Sequence, residues 1–464
     1  MKKIALAVSV VALLVALPAS AQLNFDRYVA LGDSLTAGFT SGGLVDCYQM
    51  HSYPAMLAAQ AGAANFQMPL ISPPGIPSVL ELASLAGGVP VLVPAGDPAD
   101  AFPYNATYPA PYNNLGVPGA TLYNLLFTTG DINNLLAGNT DNVMHDLILR
   151  IPQVLNPQTG QPMDFTALVQ AIALDPTFVT LWIGQNDVLG AVTSATAMEG
   201  VTMTPVDVFA TLYPQAVGAL VQMTSADIVL FTVPDVTMAP FVHTIPPFLN
   251  IPALGGVVPI MGSNGPLTSD CLVTLLASSK LAQGYGVPVP GYPPLPEDFN
   301  LATGEPGYVL RPEEVAAIQE RVAAYNAIIV QTADAFGLPV FDANAVLADL
   351  INHGIDLGGV HLDGSYLTGG LVSYDAIHPQ QLGYAVFTKY LVDFLNDTYG
   401  AGIAPVDLTE ILFDNPCYPL GSAYGVAPES VQFSPEAAEG FLDLFMPTLP
   451  QVLPREQEAA SATD

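Results

Sequence analysis

Short apolar runs alternate with amphipathic stretches along this chain of 464 residues. The apolar runs are too short for helices and rich in β-branched and aromatic residues, which predicts buried strands. The amphipathic stretches have helical spacing. Predicted strands cover residues 28–31, 177–183, 227–233 and 338–341, and predicted helices cover 52–62, 78–85, 165–174, 204–225, 311–336 and 380–396. Strands that alternate with helices indicate an α/β fold around a parallel sheet.

Two long segments rich in proline and glycine, residues 67–112 and 234–310, interrupt this alternation. Each is longer than a connection in a compact fold needs to be, which favours a functional role such as a lid. Apolar stretches within them, 70–93 and 241–260, would line an acyl pocket if they folded over the carboxyl edge of the sheet.

The first 21 residues have the pattern of a secretory signal peptide. Two lysines precede an apolar run that ends at Leu17, and Ala19-Ser20-Ala21 is a cleavage signal. The run is short for a membrane span, and the residue directly after the predicted cut is Gln22 and not the cysteine of a lipoprotein anchor. We expect a bacterial protein that is secreted or periplasmic after cleavage.

The rest of the chain is expected to form a catalytic domain over 22–400, a C-terminal extension packed on it over 401–450, and a disordered tail over 451–464.

Basic residues are scarce: nine Lys and Arg stand against 41 Asp and Glu, a net charge of −32. Phosphate backbones are bound by Lys and Arg, so the composition argues strongly against a nucleic-acid partner. An anionic membrane surface is disfavoured for the same reason, and we expect no stable membrane anchor. Mutual repulsion keeps a chain of mean hydropathy +0.44 in solution. The oligomeric state is left open.

Three cysteines remain after the predicted cleavage: Cys47, Cys271 and Cys417. In an oxidising compartment they permit one disulfide and one thiol, or no disulfide, and the pairing stays open. A structural disulfide is the expected role for Cys47.

There is no C-x-x-C and no Cys/His cluster, and the acidic stretch 131–146 lacks the spacing of a calcium loop. The sequence therefore predicts neither a metal site nor a cofactor.

Four loops beside predicted strands or helices carry the side chains that acyl transfer needs. They hold Ser34, Gly119, Asn186, and the pair Asp375 and His378. A serine hydroxyl needs a base to take its proton, and His378 can do so while Asp375 fixes its tautomer. The N–H groups of Ser34 and Gly119 and the Asn186 amide would stabilise the oxyanion.

Other residues in and near these loops have simpler expected roles. Asp33 and Asp187 are expected to fix their loops through hydrogen bonds. Gly116 is the alternative to Gly119 as the oxyanion glycine. Trp182 is expected in the core or in a pocket wall. The other histidines are expected to be structural or at the surface, and they are His51, His145, His243, His353 and His361.

The four loops together resemble the blocks of the GDSL, or SGNH, hydrolase superfamily. Gly32-Asp33-Ser34-Leu35 is similar to block I, and residues 114–120 are similar to block II, with Gly119 at the oxyanion glycine. Gly184-Gln185-Asn186-Asp187 matches the G-x-N-D of block III, and Asp375-x-x-His378 matches the D-x-x-H of block V. The blocks come in family order within residues 28–396, and the two inserts and the region after 400 lie outside the resemblance.

The resemblance implies a flavodoxin-like three-layer α/β/α fold with a parallel sheet of about five strands. It implies an esterase or lipase that needs no metal. We therefore expect a secreted serine esterase or lipase acting on small-molecule or lipid esters, and the apolar inserts slightly favour lipid-like esters over sugar esters. Two alternatives stay open: an acyltransferase on the same machinery, and a non-catalytic binding protein on a hydrolase fold.

Overall fold

The computed structural model describes residues 23–84, 90–413, 417 and 431–446. The predicted signal peptide and the predicted disordered tail lie outside these residues. The strands in chain order are β1 (Tyr28–Gly32), β2 (Leu80–Ser84), β3 (Val91–Pro94), β4 (Asn114–Gly116), β5 (Gln153–Leu155), β6 (Pro162–Asp164), β7 (Phe178–Trp182), β8 (Asp227–Phe231), β9 (Phe248–Ile251), β10 (Gly256–Pro259), β11 (Met261–Gly262), β12 (Gly265–Pro266), β13 (Leu272–Val273), β14 (Val309–Leu310), β15 (Val340–Phe341), β16 (Ile355–Leu357), β17 (Val360–Leu362) and β18 (Gln432–Phe433).

The α-helices begin and end as follows: α1 (Ser34–Ala37), α2 (Asp46–Gln49), α3 (Tyr53–Gln60), α4 (Leu122–Phe127), α5 (Ile132–Leu136), α6 (Val143–Ile148), α7 (Ala167–Ala173), α8 (Asn186–Thr193), α9 (Val206–Met223), α10 (Ala277–Ala282), α11 (Pro312–Phe336), α12 (Ala343–Asn352), α13 (Gln381–Tyr399), α14 (Leu408–Phe413) and α15 (Pro435–Phe445). Among the described residues, no helix is both long enough and apolar enough to cross a membrane.

A parallel sheet of five strands lies at the centre, in the order β15-β8-β7-β1-β4. In its register Tyr28 of β1 lies opposite Phe178 of β7, and Gly32 lies opposite Gly116 of β4. The strands predicted from apolar runs are confirmed as β1, β7, β8 and β15. The fifth strand, β4, is not among the predicted strands, because a strand of three residues is too short to show a period.

Helices cover both faces of this sheet, as the alternation of side chains in β1 shows. Val29 and Leu31 point into a core shared with helices α9 and α11. Tyr28 and Ala30 point into a second core shared with α3 and α13. A strand covered on both faces is apolar at every position, which explains why β1 reads as a continuous apolar run. The α/β fold with a five-stranded parallel sheet is confirmed.

Local signals set the ends of the predicted helices. The Ser52 side chain accepts a hydrogen bond from the Ala55 N–H at the start of α3, and Pro54 lies in its first turn. Helix α11 begins at Pro312 and ends before Gly337, which has the positive φ of +69° that favours glycine. The helix predicted over 78–85 is wrong: β2 occupies most of it and pairs antiparallel with β3. Pairing with a neighbouring strand there overrides the local helical pattern.

The first insert and the C-terminal region form one unit. Strand β18 pairs in parallel with β3, which gives a three-stranded sheet in the order β18-β3-β2. A disulfide joins Cys47 to Cys417, with the Cα atoms 5.8 Å apart, and Cys271 is a buried thiol. His51 is close enough to these two cysteines to suggest three metal ligands, but the disulfide removes both thiolates. The second insert carries short hairpins, β9-β10 and β11-β12.

Candidate active site

The sheet order brings the predicted catalytic loops to one edge. Strands β7, β1 and β4 are neighbours, so the loops after their carboxyl ends meet. Ser34 follows β1 as the first residue of α1, and Asn186 follows β7 as the first residue of α8. Gly119 lies three residues after β4. The segment before α13 brings His378 to the same edge, within hydrogen-bond distance of Ser34.

Ser34, His378 and Asp375 form a continuous hydrogen-bonded chain. The Ser34 Oγ and His378 Nε2 atoms are 2.9 Å apart, and His378 Nδ1 is 2.9 Å from Asp375 Oδ2. Because the carboxylate accepts from Nδ1, the imidazole proton stays there and Nε2 is left to accept from the serine hydroxyl. All three residues are buried, with Ser34 only 3% and His378 only 1% exposed.

Asp375 is held as a carboxylate by a dense set of donors. Oδ1 accepts from the Ser373 hydroxyl and from the backbone N–H groups of Ile377 and His378, at 2.8 to 3.0 Å. Oδ2 accepts from the Gly42 N–H at 2.9 Å and from His378 Nδ1. Burial acts to raise the pKa of Asp375, but His378 and the N–H donors outweigh it and hold the pKa below its usual value. This position therefore suits an anion that orients the imidazole.

Gly116 and Gly119 are the two candidates for the oxyanion glycine, and they differ in whether the backbone N–H group already has an acceptor. The Gly116 N–H donates to Asn114 Oδ1 at 3.0 Å, and the glycine is packed against the backbone of α1. The Gly119 N–H has no acceptor among the described residues, and its φ of +78° favours glycine. An oxyanion needs an unpaired donor, so the geometry favours Gly119 over Gly116.

The Asn186 amide is tied to the loop that carries the nucleophile. Its Nδ2 donates to Asp33 Oδ2 and to the Ala120 carbonyl, both at 3.1 Å. Asp33 also accepts from the Leu35 N–H, which caps α1. Burial, with the charge of Asp187 as a smaller cause, raises the pKa of Asp33 to about 8. Asp33 therefore fixes both its own loop and the amide of Asn186, in keeping with its expected role.

Asp187 joins the block III segment to the start of α4 and to the segment that precedes α9. Its Oδ2 accepts from the Leu122 N–H at 2.8 Å, and its Oδ1 accepts from the Thr204 hydroxyl at 2.7 Å. The carboxyl group is completely enclosed, and burial raises its pKa to about 6 despite these donors. These bonds fix the loop in the way the sequence predicted.

An apolar cleft opens beside Ser34 and His378. Its empty space, part of which is open to solvent, is about 940 Å³. Most of its apolar wall comes from α12 and from the segment just after β8, and includes Val236, Met238, Leu347, Leu350, Ile351 and Leu371. The second insert therefore contributes only its first residues, 234–240. The expectation that stretches 70–93 and 241–260 would line the pocket is wrong for their described residues, none of which lines this cleft. Strand β3 of the first insert pairs with β18 of the C-terminal region instead.

Three residues of this site carried no usable sequence signal. Gln185 lines the cleft, yet both polar atoms of its buried amide lack a hydrogen-bond partner. Phe39 and Phe445 pack against the His378 ring, with centroids 4.9 and 5.3 Å away. Gln185 is the variable position of the G-x-N-D motif, and Phe445 is far from any block. The apolar spacing of Phe441 and Phe445 could have indicated a helix, but not its position over the site.

Trp182 and the histidines other than His378 lie in the core or form hydrogen bonds away from Ser34. Trp182 is buried, and its Nε1 donates to the Thr232 carbonyl. Burial lowers the pKa of His145 to about 4. The remaining histidines bond to neighbouring groups, as His51 does to the Cys47 carbonyl, His243 to the Thr237 carbonyl, His353 to Asp349 and His361 to Asp356.

Comparison with known proteins gives one family. Residues 28–391 match the model of the GDSL-like lipase/acylhydrolase family. One similar solved structure is a lipase/acylhydrolase from Enterococcus faecalis, with 13% sequence identity and a TM-score of 0.29; the match covers 80% of this chain and 95% of that one. Another is an extracellular lipase from Streptomyces rimosus, with 14% identity and a TM-score of 0.31; the match covers 79% of this chain and 98% of that one. No curated protein sequence matches the chain. Since the family match spans most of the sequence, this chain belongs to the GDSL-like lipase/acylhydrolase family.

Proposed function

We propose that this protein is a serine esterase or lipase that cleaves carboxylic esters through an acyl-enzyme on Ser34. The observation that carries the proposal is the chain of 2.9 Å contacts from Ser34 Oγ through the His378 imidazole to the buried Asp375 carboxylate. In this arrangement the hydroxyl proton has an acceptor, and the imidazolium that forms faces an anion. Family membership supports hydrolysis of ester bonds as the reaction class.

The reaction proceeds in two halves. Ser34 Oγ attacks the ester carbonyl carbon while His378 Nε2 takes the hydroxyl proton, which gives a tetrahedral intermediate with a negative oxygen. His378 then gives that proton to the departing alkoxide, and the alcohol leaves. In the second half, water loses a proton to His378 and attacks the acyl carbon. The proton returns to Ser34 as the carboxylic acid leaves.

Three donors are proposed for the oxyanion. They are the N–H groups of Ser34 and Gly119, which have no acceptors among the described residues, and the Asn186 amide. Asn186 currently donates to Asp33 and Ala120, so its hydrogen bonds must be shared or exchanged when the oxyanion forms. Removing one such donor lowers kcat by about 10²–10³ in a well-studied serine hydrolase.

The apolar cleft is proposed to hold the acyl chain. Its walls are aliphatic, and it opens next to Ser34. Each buried methylene contributes about 0.8 kcal/mol, which is about fourfold in kcat/KM if the gain is kept in the transition state. We therefore expect kcat/KM to rise with chain length from acetate until the cleft is full.

The experiment that tests this function is a series of p-nitrophenyl esters from acetate to palmitate. Wild type, Ser34→Ala and Ser278→Ala are compared, because Ser278 is a buried serine on α10 outside the catalytic loops. We expect Ser34→Ala to fall to the rate of uncatalysed hydrolysis while Ser278→Ala keeps wild-type turnover. Substantial turnover by a folded Ser34→Ala protein would refute the assignment.

Export is proposed as well, on the signal-peptide pattern of residues 1–21. The Cys47–Cys417 disulfide supports it, since such bonds persist in oxidising compartments. Mass spectrometry of the protein from culture medium or periplasm should find a mature chain that begins at Gln22, with one unmodified cysteine. Retention of the protein in the cytoplasm at full length would contradict this proposal.

A further inference from the structure

The last described helix lies across the catalytic residues. The buried face of α15 carries Ala437, Phe441 and Phe445, while Glu436 and Glu439 are exposed on its opposite face. The Phe445 ring is 5.3 Å from the His378 ring and 5.5 Å from the Phe39 ring, measured between centroids. The C-terminal end of α15 therefore packs directly on the base of the proposed triad.

This same end of α15 crowds the proposed oxyanion glycine. A Cβ placed on Gly119 would lie 3.2 Å from the Leu444 carbonyl oxygen. The described residues that line the substrate cleft include Ser34, Asn186 and His378, but neither Gly119 nor any residue of α15. The acyl cleft is thus open on one side of Ser34, while the Gly119 side of the proposed oxyanion site lies against the end of α15.

The position of α15 is also electrostatically wrong for catalysis. The carbonyl groups at the end of a helix carry the negative end of its dipole. The Leu444 carbonyl belongs to this end and lies close to Gly119, the residue whose N–H is proposed to bind the developing negative charge. Carbonyl dipoles close to a forming oxyanion destabilise it, which is the opposite of what an oxyanion hole does.

Among the described residues, one side chain outside α15 forms a hydrogen bond to the end of this helix. The Thr193 hydroxyl on α8 donates to the Phe445 carbonyl at 2.8 Å, and Thr193 is fully buried. The rest of the contact is apolar, as where the Phe441 and Phe241 rings stack 5.2 Å apart. Such a contact is held by one polar bond and by side-chain packing, both of which can be released without unfolding the central sheet.

We propose that α15 is an autoinhibitory cap: it closes the oxyanion side of the site and must move away from Gly119 before an ester can react. This inference rests on the proposed function of Ser34, Gly119 and His378. It adds a step that must precede the attack of Ser34 on the ester, and it makes the closed arrangement a resting state of the enzyme.

The opened cap fits the surface of an uncharged lipid. Movement of α15 would expose Phe441 and Phe445 to water, which is unfavourable unless an apolar phase receives them. Tyr123 and Phe127 lie on α4 shortly after Gly119, with tilted rings whose centroids are 4.9 Å apart, and they are already 36% and 50% exposed. The net charge of −32 disfavours an anionic surface as the partner. Droplets of a neutral acylglycerol meet these requirements.

The test weakens the cap without touching the proposed machinery. Thr193→Val keeps the volume of the side chain and removes the bond to Phe445. A neutral hydrogen bond contributes about 1 kcal/mol, or about fivefold in an equilibrium constant. We expect a small fluorophosphonate, which forms a bond from Ser34 Oγ to phosphorus and expels fluoride, to label Thr193→Val about fivefold faster than wild type. Thr332→Val on α11, which loses a bond of 2.7 Å to its own helix, should label at the wild-type rate.

A second readout separates the cap from the catalytic assignment. Hydrogen–deuterium exchange of residues 431–446 needs no turnover, and Thr193→Val should accelerate it while Thr332→Val does not. Equal exchange and equal labelling in Thr193→Val and wild type would overturn the cap. Faster exchange in a Thr193→Val protein whose Ser34 reacts with no probe would support a mobile α15 but refute the proposed function, and with it the inhibitory role.

The proposed role of the lipid surface is tested by measuring hydrolysis of tributyrin at concentrations below and above its solubility limit. Wild type should show a jump in rate when droplets form, and Thr193→Val should show a smaller jump because its cap already opens more often. A smooth saturation curve for wild type across the solubility limit would overturn the role of the lipid surface.

Discussion

Replacing Asp375 by asparagine should change which nitrogen of His378 carries the proton. The new NH₂ group must take the place of one carboxylate oxygen. At Oδ1 it would face two backbone N–H groups, from Ile377 and His378, whose protons cannot move. At Oδ2 it would face the Gly42 N–H and His378 Nδ1, and only the imidazole can change its proton position. The amide therefore donates to Nδ1, and the proton moves to Nε2.

That tautomer cannot act as the base. With a proton on Nε2, His378 has no lone pair facing the Ser34 hydroxyl at 2.9 Å. In the serine-protease template the same substitution lowers kcat about 10⁴-fold. At 1.36 kcal/mol for each factor of ten, this is about 5.5 kcal/mol of transition-state stabilisation. The donor left facing Gly42 should also lower the free energy of unfolding by about 1–3 kcal/mol.

The assay is steady-state hydrolysis of p-nitrophenyl butyrate, with circular dichroism and guanidinium unfolding to establish that each variant is folded. Asp356→Asn is the matched control, because Asp356 also accepts from a histidine Nδ1, that of His361, at 2.9 Å but at the surface. It should keep full activity. A folded Asp375→Asn protein with kcat within tenfold of wild type would refute the role assigned to this carboxylate.

Three other substitutions test the site and its surroundings. Asn186→Ala should lower kcat by about 10²–10³ with a smaller effect on KM, and steady-state kinetics that show less than a fivefold loss would remove Asn186 from the oxyanion hole. Gln185→Met should raise the free energy of unfolding by about 1–2 kcal/mol, because it removes a buried amide that has no hydrogen-bond partner among the described residues. A lower free energy of unfolding in denaturant titration would contradict this. Because burial raises the pKa of Asp187 to about 6, the native state binds this proton more tightly than the unfolded chain does. Its contribution to stability is therefore complete below about pH 3.8 and is lost as the pH rises through about 6. Wild type should lose stability relative to Asp187→Asn between pH 4 and 7, and a constant difference in the free energy of unfolding would show that Asp187 does not titrate in this range.

The sequence by itself determined four strands of the central sheet and the residues of the proposed site at its edge. Strands β1, β7 and β8 were predictable because a strand buried on both faces must be apolar at every position, whatever packs on it. The residues of the four blocks were predictable for a similar reason. Ser34, Asn186 and His378 are the side-chain types that acyl transfer requires, and each lies in a loop next to a strand or a helix start, so local pattern and chemistry agree.

Only the tertiary structure decided what surrounds this chemistry. The partner of Cys47 lies 370 residues away, and no local pattern distinguishes Cys417 from Cys271. The segment 78–85 looked helical and became β2, because its backbone groups find their partners in β3. The cleft wall came from α12, whose apolar face looks in sequence like that of any packed helix.

The placement of α15 over the site is the clearest case. No helix is predicted there from the sequence, and the apolar spacing of Phe441 and Phe445 says nothing about the surface on which they pack, since they would pack equally well on many apolar surfaces. In the folded chain, long-range contacts with β3, α8 and Phe241 hold the apolar face of α15 over the site. Periodicity fixes which side of a helix is apolar, because it depends on residues a few positions apart. The surface that receives this side depends on residues hundreds of positions away, and only the folded chain brings them together.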